Sequence, residues 1–172
     1  MKNIETPRLI LRPFAESDKA DLFGLLGDEQ TCLDDGGYHA YASMDDSRFI
    51  ADAQYLCASE EHYAVALRET GKAIGLVHIM PARRGIKTAE LGYALNKAYR
   101  RCGYMKEALR AVIGDLFSGD TQMIVCTCYD YNAASVRTLE SLGFTLEGRI
   151  HKSANHPQRG VIDQLSYYLE KE

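Results

Sequence analysis

Apolar positions along the chain switch between the two-residue period of a strand and the three- and four-residue spacing of a helix. Arg8-Leu9-Ile10-Leu11-Arg12 sets apolar side chains between charges and stops at Pro13, which predicts an edge-type strand. Ser17 and Asp18 can cap a helix to about residue 26, with Leu22, Phe23 and Leu26 on one face. Residues 27–44 hold no clear period; Asp34-Asp35-Gly36-Gly37 and several aromatics make them a long surface loop with room for a short helical turn. Ser43-Met44-Asp45-Asp46 has capping-box spacing and opens a helix to about residue 59. Residues 63–67 and 73–80 form a β-hairpin around Glu69-Thr70-Gly71-Lys72, followed by a basic loop over 81–87 and a strand over 89–95.

Met105, Leu109, Val112 and Leu116, with Ala108, Ile113 and Phe117 beside them, predict a helix over 105–117 whose stripe is core packing. A strand over 123–129 follows. Asn132 then reads as the N-cap of a helix ending at Leu142-Gly143, where Gly143 supplies a left-handed stop. Residues 144–150 and 161–169 are two more strands, joined by a polar loop with Asn155, His156 and Pro157. The order β-α-α-β-β-β-α-β-α-β-β is that of a mixed α/β domain.

The 172 residues, 46% hydrophobic and 26% charged, suit one domain over 1–172 with a single well-buried interior. No apolar run approaches the ~20 residues that span a bilayer, and the start of the chain lacks a secretory apolar segment, so no membrane association is expected and the cytoplasm is the expected location. Five cysteines (Cys32, Cys57, Cys102, Cys126 and Cys128) without a C-x-x-C pair suggest neither a disulfide framework nor a zinc site; no metal is expected, and a reducing compartment fits. The net charge of −4 is uneven: residues 1–70 carry six Lys/Arg against fourteen Asp/Glu, and residues 71–172 fourteen against ten. Such a division suits a polyanionic cofactor on the basic half and a cationic substrate near the other. Without a basic stripe interleaved with aromatics, nucleic-acid binding is not expected.

Arg100-Arg101-Cys102-Gly103-Tyr104-Met105 carries the strongest chemical signal. It lies between the strand over 89–95 and the start of the long helix, where unpaired N–H donors and the positive end of the macrodipole favour an anion. Gly103 permits close approach of the backbone, and the two arginines add forked donors matched to phosphate oxygens.

That loop, with Arg100-x-x-Gly103-x-Met105 after the fourth strand and Asn132-x-x-Ser135 opening the next helix, resembles the GNAT superfamily of acyl-CoA-dependent N-acyltransferases. Thr6-x-Arg8-Leu9-x-Leu11-Arg12, Ala89-Glu90-Leu91-Gly92-Tyr93 and Leu142-Gly143-Phe144-x-x-Glu147-Gly148 look like its branch of ribosomal-protein N-terminal acetyltransferases. The family often carries Gly or Ala where Met105 stands; Met105 still offers its backbone N–H. The resemblance implies the GNAT fold: an α/β, mixed and mostly antiparallel sheet with splayed central strands, flanked by helices.

It also implies acetyl-CoA as cosubstrate, held by Arg100, Arg101, Cys102, Gly103, Tyr104 and Met105 at the phosphates, with Leu95, Asn96, Lys97 and Asn132 along the pantetheine arm. A backbone N–H near Tyr93 or Ala94 would face the thioester oxygen. By the same resemblance Glu90 is the general base that takes the proton of the acceptor amine, and Ser135 the general acid for the departing thiolate, with Asn132 positioning arm or acceptor. Tyr129 and Tyr131 are rival acids. Asp163 is read as structural, His78 as a packed or hydrogen-bonded residue, and a covalent route through Cys102 is disfavoured by its place beside the phosphates rather than the thioester.

The acceptor is a primary amine, either a protein N-terminus or a small molecule. Residues 27–44 and 152–160 are expected to line its side, where Asp34, Asp35, Asp45 and Asp46 can attract an ammonium group. A non-catalytic acyl-CoA sensor of the same fold is the alternative, and a homodimer through the C-terminal strands is a further expectation.

Overall fold

The computed structural model describes residues 2–83 and 85–171. The chain runs β1 (Ile4–Glu5), β2 (Leu9–Arg12), a 3-10 turn (Glu16–Asp18), α1 (Lys19–Leu26), α2 (Glu29–Asp35), α3 (Ser47–Ala58), β3 (His62–Leu67), β4 (Ala73–Ala82) and β5 (Thr88–Leu95). It continues through a 3-10 turn (Lys97–Tyr99), α4 (Tyr104–Ser118), β6 (Met123–Tyr129), α5 (Ala133–Ser141), β7 (Thr145–His156) and β8 (Gly160–Glu170). Among the described residues the strands make one eight-stranded sheet in the order β1-β2-β3-β4-β5-β6-β8-β7. All neighbours are antiparallel except β5 and β6.

The β5–β6 ladder is short. It joins Thr88 to Met123, Ala89 to Ile124 and Glu90 to Val125. Beyond Glu90, β5 stays paired with β4 as far as Leu95, and β6 stays paired with β8 as far as Tyr129. The sheet therefore opens between residues 91–95 and 126–129, the splay that the resemblance implies.

Each face of the sheet has its own apolar layer, because strand side chains alternate. On one side the stripe Met105, Ala108, Leu109 and Val112 of α4, with Leu139 of α5, packs on Leu9, Leu11, Val65, Ile74, Val77, Leu91, Ile124 and Cys126. On the other, Leu22, Leu25 and Leu26 of α1 and Phe49, Ala53 and Leu56 of α3 pack on Ala64, Leu76 and Ala94. Leu76, His78 and Met80 of β4 consequently share a face with Ala94, Gly92 and Glu90, their register partners on β5.

The structure departs from sequence expectation at four places. Residues 27–44 contain a real helix, α2, capped by Asp28, whose carboxylate accepts from the Thr31 N–H at 3.0 Å. Its seven residues are too few to show a period. The cap of α3 is Asp46 rather than Ser43: Asp46 accepts from the Arg48 N–H, while 44–45 form a turn. The strand at residues 9–12 is not an edge, since Ile4 and Glu5 pair with Leu11 and Ile10. Finally, β7 and β8 run on to a tight tip at Pro157–Arg159 instead of leaving a long loop, because His156 is 2% exposed and packs edge-on to Tyr129 and Tyr131.

The entry to α1 is held by a nearly buried ion pair. Arg12 donates to both oxygens of Asp18 at 2.6 and 2.8 Å, and the same carboxylate accepts the Ala15 N–H at 2.9 Å. Burial opposes the charge on Asp18, yet the bonds from Arg12 and Ala15 outweigh it and hold the carboxyl below its ordinary value. A depressed carboxylate contributes stability above the unfolded pKa and loses it as pH falls through the folded one. Asp18→Ala, which strands the guanidinium, is expected to cost about 3 kcal/mol of unfolding free energy at neutral pH. The deficit should shrink on acidification below about pH 4, as read by urea denaturation at both pH values.

Candidate active site

The loop that enters α4 is built to present N–H groups. Arg101 and Gly103 both adopt left-handed backbone, φ 64° and 78°, which turns the chain sharply into the helix. Among the described residues, the amides of 101–106 donate to no protein group. They form a row of free donors at the positive end of a fifteen-residue helix. A Cβ on Gly103 would stand in left-handed backbone and lie 3.5 Å from the Arg8 guanidinium.

Arg8 belongs to this loop although it is far away in sequence. Its guanidinium donates to the Cys102 carbonyl at 3.0 Å and to Glu107 at 2.6 Å, and lies 4.4 Å from the Tyr104 ring centroid. Thr6 donates to the other Glu107 oxygen at 2.6 Å. Burial disfavours the Glu107 charge, but Thr6 and Arg8 overcome it and lower its pKa. The short connection between β1 and β2 thus braces this loop from behind. Thr6 and Arg8 stood out in the sequence as part of a motif, but nothing in it showed Glu107 as their partner.

The expected loop residues divide into two groups. Arg100 points inward: it donates to the Leu95 carbonyl at 3.2 Å and to Thr31 of α2 at 2.8 Å. Asn96 caps the turn by accepting from the Ala98 N–H at 3.0 Å and donates to the Gly24 carbonyl at 3.0 Å. Lys97 reaches Asp28 at 2.5 Å, a bond that lowers the Asp28 carboxyl to about 2. These side chains tie the end of β5 to α1 and α2. Arg101, Cys102 and Gly103 are exposed, Tyr104 is half-buried, and Met105 turns its side chain into the core.

Across the opening, the Tyr93 hydroxyl of β5 and Ser135 of α5 are hydrogen-bonded at 2.7 Å. Asn132 caps α5 by accepting the Ser135 N–H at 3.1 Å and donates to the Asp34 carbonyl at 3.3 Å. Burial pushes the Tyr93 phenol up, so it stays a neutral donor or acceptor. Tyr93 and Ser135 lie on the α4–α5 side of the sheet, whereas Glu90 lies on the α1–α3 side and accepts from Thr127 at 3.3 Å. The expected base and acid therefore flank the opening from opposite faces. Tyr131 is committed elsewhere: its hydroxyl meets His156 at 3.0 Å, and Arg159 covers its ring at 4.0 Å. Asp163 receives the Lys152 N–H at 2.7 Å and Arg149 at 3.0 Å, which pins the irregular stretch of β7.

On the Glu90 face a cleft of about 830 Å³ opens, lined by Asp35, Tyr38, Tyr41, Asp52, Tyr55, His62 and His78 among others. Of the four aspartates expected there, Asp35 lines it; Asp34 accepts from Gln30, Asp46 caps α3, and Asp45 is exposed. That Asp52, bonded to the Tyr41 hydroxyl, and the two histidines line this cleft was not anticipated; His78 was expected only as a packed or hydrogen-bonded residue. Their signal was absent because α2, α3, β3 and β4 meet only in three dimensions. The tip of the β7–β8 hairpin contributes Pro157 to the lining.

The family model of the "Acetyltransferase (GNAT) domain" matches residues 8–145. The chain belongs to the GNAT acetyltransferase family. A curated relative, "Probable N-acetyltransferase YjcK" of Bacillus subtilis (strain 168), is 33% identical over 96 residues, 55% of this chain and 53% of that one. The matches span only 39% and 53% of the length of the first two curated relatives. Among solved structures, a GNAT-family acetyltransferase from Bacillus anthracis superposes with a TM-score of 0.86 at 21% identity, covering 99% of both chains. A ribosomal-protein-S5-alanine acetyltransferase from Vibrio fischeri gives 0.79 at 18% identity, covering 100% of this chain and 98% of that one. These likenesses establish the shared fold. No described helix is long and apolar enough to cross a membrane.

Asp35, in the cleft lining, titrates well above the usual carboxylate range. Burial pushes the Asp35 carboxyl from 3.8 up to about 6, and its bond from Tyr38 offsets only part of that. The unfolded chain therefore ionises Asp35 first, and the folded state loses relative stability as pH rises between these values, with a constant deficit above them. Asp35→Asn is expected to raise unfolding free energy at pH 7.5 by up to about 3 kcal/mol. The gain should vanish at about pH 2.5, well below the unfolded value of 3.8, where the wild-type carboxyl is protonated in both states, as read from thermal unfolding at the two pH values.

Proposed function

We propose that the chain works as a single acetyl-CoA-dependent N-acetyltransferase domain that moves an acetyl group directly from the thioester to a primary amine. The observation that carries this reading is the coincidence of two features. The sheet opens after Glu90, and the row of free N–H groups at the start of α4 follows that strand after a single 3-10 turn. Gly103 keeps that row open, and Arg101 adds charge beside it, which fits a pyrophosphate. The polar ends of the opened strands suit the amide-bearing pantetheine arm, near Leu95, Asn96 and Lys97. Acetyl-CoA supplies the activated acyl group; the protein's own residues handle charge and protons.

Glu90 is the general base in this reading. It sits on the cleft side of the opening with Thr127 as hydrogen-bond donor, where it can take the proton an ammonium must lose before attack. Ser135 is the general acid for the sulfur, on the opposite side of the opening and held by a hydrogen bond to the Tyr93 hydroxyl. Asn132 holds Ser135 in place through the helix cap. The engagement of Tyr131 with His156 favours Ser135 over Tyr131.

The acceptor enters by the cleft, whose volume of about 830 Å³ accommodates several residues of an extended peptide or a small amine. The fold shared with the Vibrio fischeri enzyme makes a protein N-terminus the first candidate. Release of free thiol from acetyl-CoA should be measured over alanine- and serine-initiated peptides, spermidine, free amino acids and an aminoglycoside. Turnover with at least one amine is expected; binding of acetyl-CoA with no turnover on any would favour a sensor.

Glu90→Gln should lower kcat about 10²-fold or more while leaving calorimetric affinity for acetyl-CoA intact, and Ser135→Ala should do likewise, with Tyr131→Phe near wild type. Arg101→Glu should instead weaken acetyl-CoA binding about tenfold or more with little change in fold.

A further inference from the structure

The proton drawn from the acceptor has to leave by the cleft, where leucines and tyrosines alternate with carboxylates and histidines, and β4 carries a group suited to move it. His78 stands opposite Gly92 in the β4–β5 register, one diagonal step from Glu90 on the same face of the sheet. The imidazole lies directly over Gly92: a Cβ there would fall 2.1 Å from its Cε1 and Nε2 atoms. Only glycine leaves room for the ring at this point. His78 lines the cleft, and among the described residues its ring nitrogens have no hydrogen-bond partner.

His62, its register partner on β3, places a second imidazole edge-on at 5.6 Å. Ser59 holds the His62 Nδ1 at 2.7 Å, which leaves Nε2 free, and Tyr55 of α3 packs against the ring at 5.7 Å. Burial lowers the pKa of both imidazoles, so each is neutral and able to accept a proton near pH 7. Glu90 and Glu61 favour the charged form of His78, and Asp35, Asp52, His39 and Arg48 line the same cleft.

Resting on the N-acetyltransferase reading above, we propose that His78 carries the acceptor's proton onward from Glu90 and releases it through His62 to solvent in the cleft. In the balanced reaction an ammonium and a thioester become an amide, a thiol and one free proton. The first proton lost from nitrogen passes from the Glu90 carboxyl to one ring nitrogen of His78, and from the other to His62 and water. Both groups are thereby restored. The second is lost from nitrogen once the C–N bond is made and the C–S bond broken, and it replaces the proton that Ser135 gives to the departing sulfur.

Two measurements test this. By proton NMR, the His78 ring, assigned with His78→Gln, should titrate below 6.5, and lower still in Glu90→Gln; a titration that Glu90→Gln leaves unmoved overturns the relay. With an alanine-initiated peptide as acceptor, folded His78→Gln should show kcat lowered about 10²-fold, KM for acetyl-CoA unchanged and the acidic limb of the kcat profile displaced. Free imidazole should restore much of the rate to His78→Ala. Wild-type rates and pH profile in His78→Gln overturn the relay and, if Glu90→Gln is still slow, leave the acetyltransferase reading standing. A silent Glu90→Gln beside a slow His78→Gln would instead overturn the base assigned above and the Glu90-to-His78 step with it.

Discussion

Everything functional in this protein depends on a parallel ladder that stops early. Two strands in the middle of a sheet normally pair along their length, because unpaired backbone N–H and C=O groups inside a protein are costly. Here β5 and β6 share only three register pairs and then part, each remaining paired on its outer side with β4 or β8. The opening persists because packing holds both strands independently. Leu91 and Cys126 are anchored in the layer under α4, and Ala94 in the layer under α1 and α3. In the function proposed above, the backbone groups at the opening pair with the amides of the pantetheine arm.

The two faces of the opening differ in chemistry. Toward α4 and α5 it carries Tyr93 bonded to Ser135, with burial keeping the phenol protonated. Toward α1 and α3 it leads into a cleft of tyrosines, histidines and carboxylates. In the function proposed above, the loop on one side serves a polyanionic donor and the tyrosine-, histidine- and carboxylate-lined cleft on the other a cationic acceptor. The uneven charge of the chain reflects this division: the acidic first part supplies Asp35 and Asp52 to the cleft, and the basic second part supplies Arg101 to the loop. Arg8 is the exception, a cation from the acidic part that crosses over to brace the loop.

Much of the fold was legible in the sequence because long amphipathic segments announce themselves. The stripe of α4, the Asn132 cap of α5 and the Gly143 stop, at φ 91°, lie where the spacing put them. Short elements were not legible: the seven residues of α2 and the two of β1 are held by partners distant in sequence rather than by their own period. The anion loop was readable from Arg100, Gly103 and the helix that follows. That Arg100 turns inward to Thr31, leaving Arg101 as the exposed cation of the pair, was not, since Thr31 is 69 positions away.

By itself the sequence determined the local, short-range matters: which segments coil or extend, where helices begin and stop, and which loop offers free N–H groups. These depend on side-chain period, caps and backbone freedom within a few residues. The tertiary structure alone decided that β5 and β6 diverge, that Tyr93 meets Ser135, that Glu107 braces the loop through Thr6 and Arg8, and that His78 rests on Gly92 beside Glu90. Each of these is a contact between residues on different elements. Its geometry follows from how two apolar layers and a strand register close together, which no local pattern encodes.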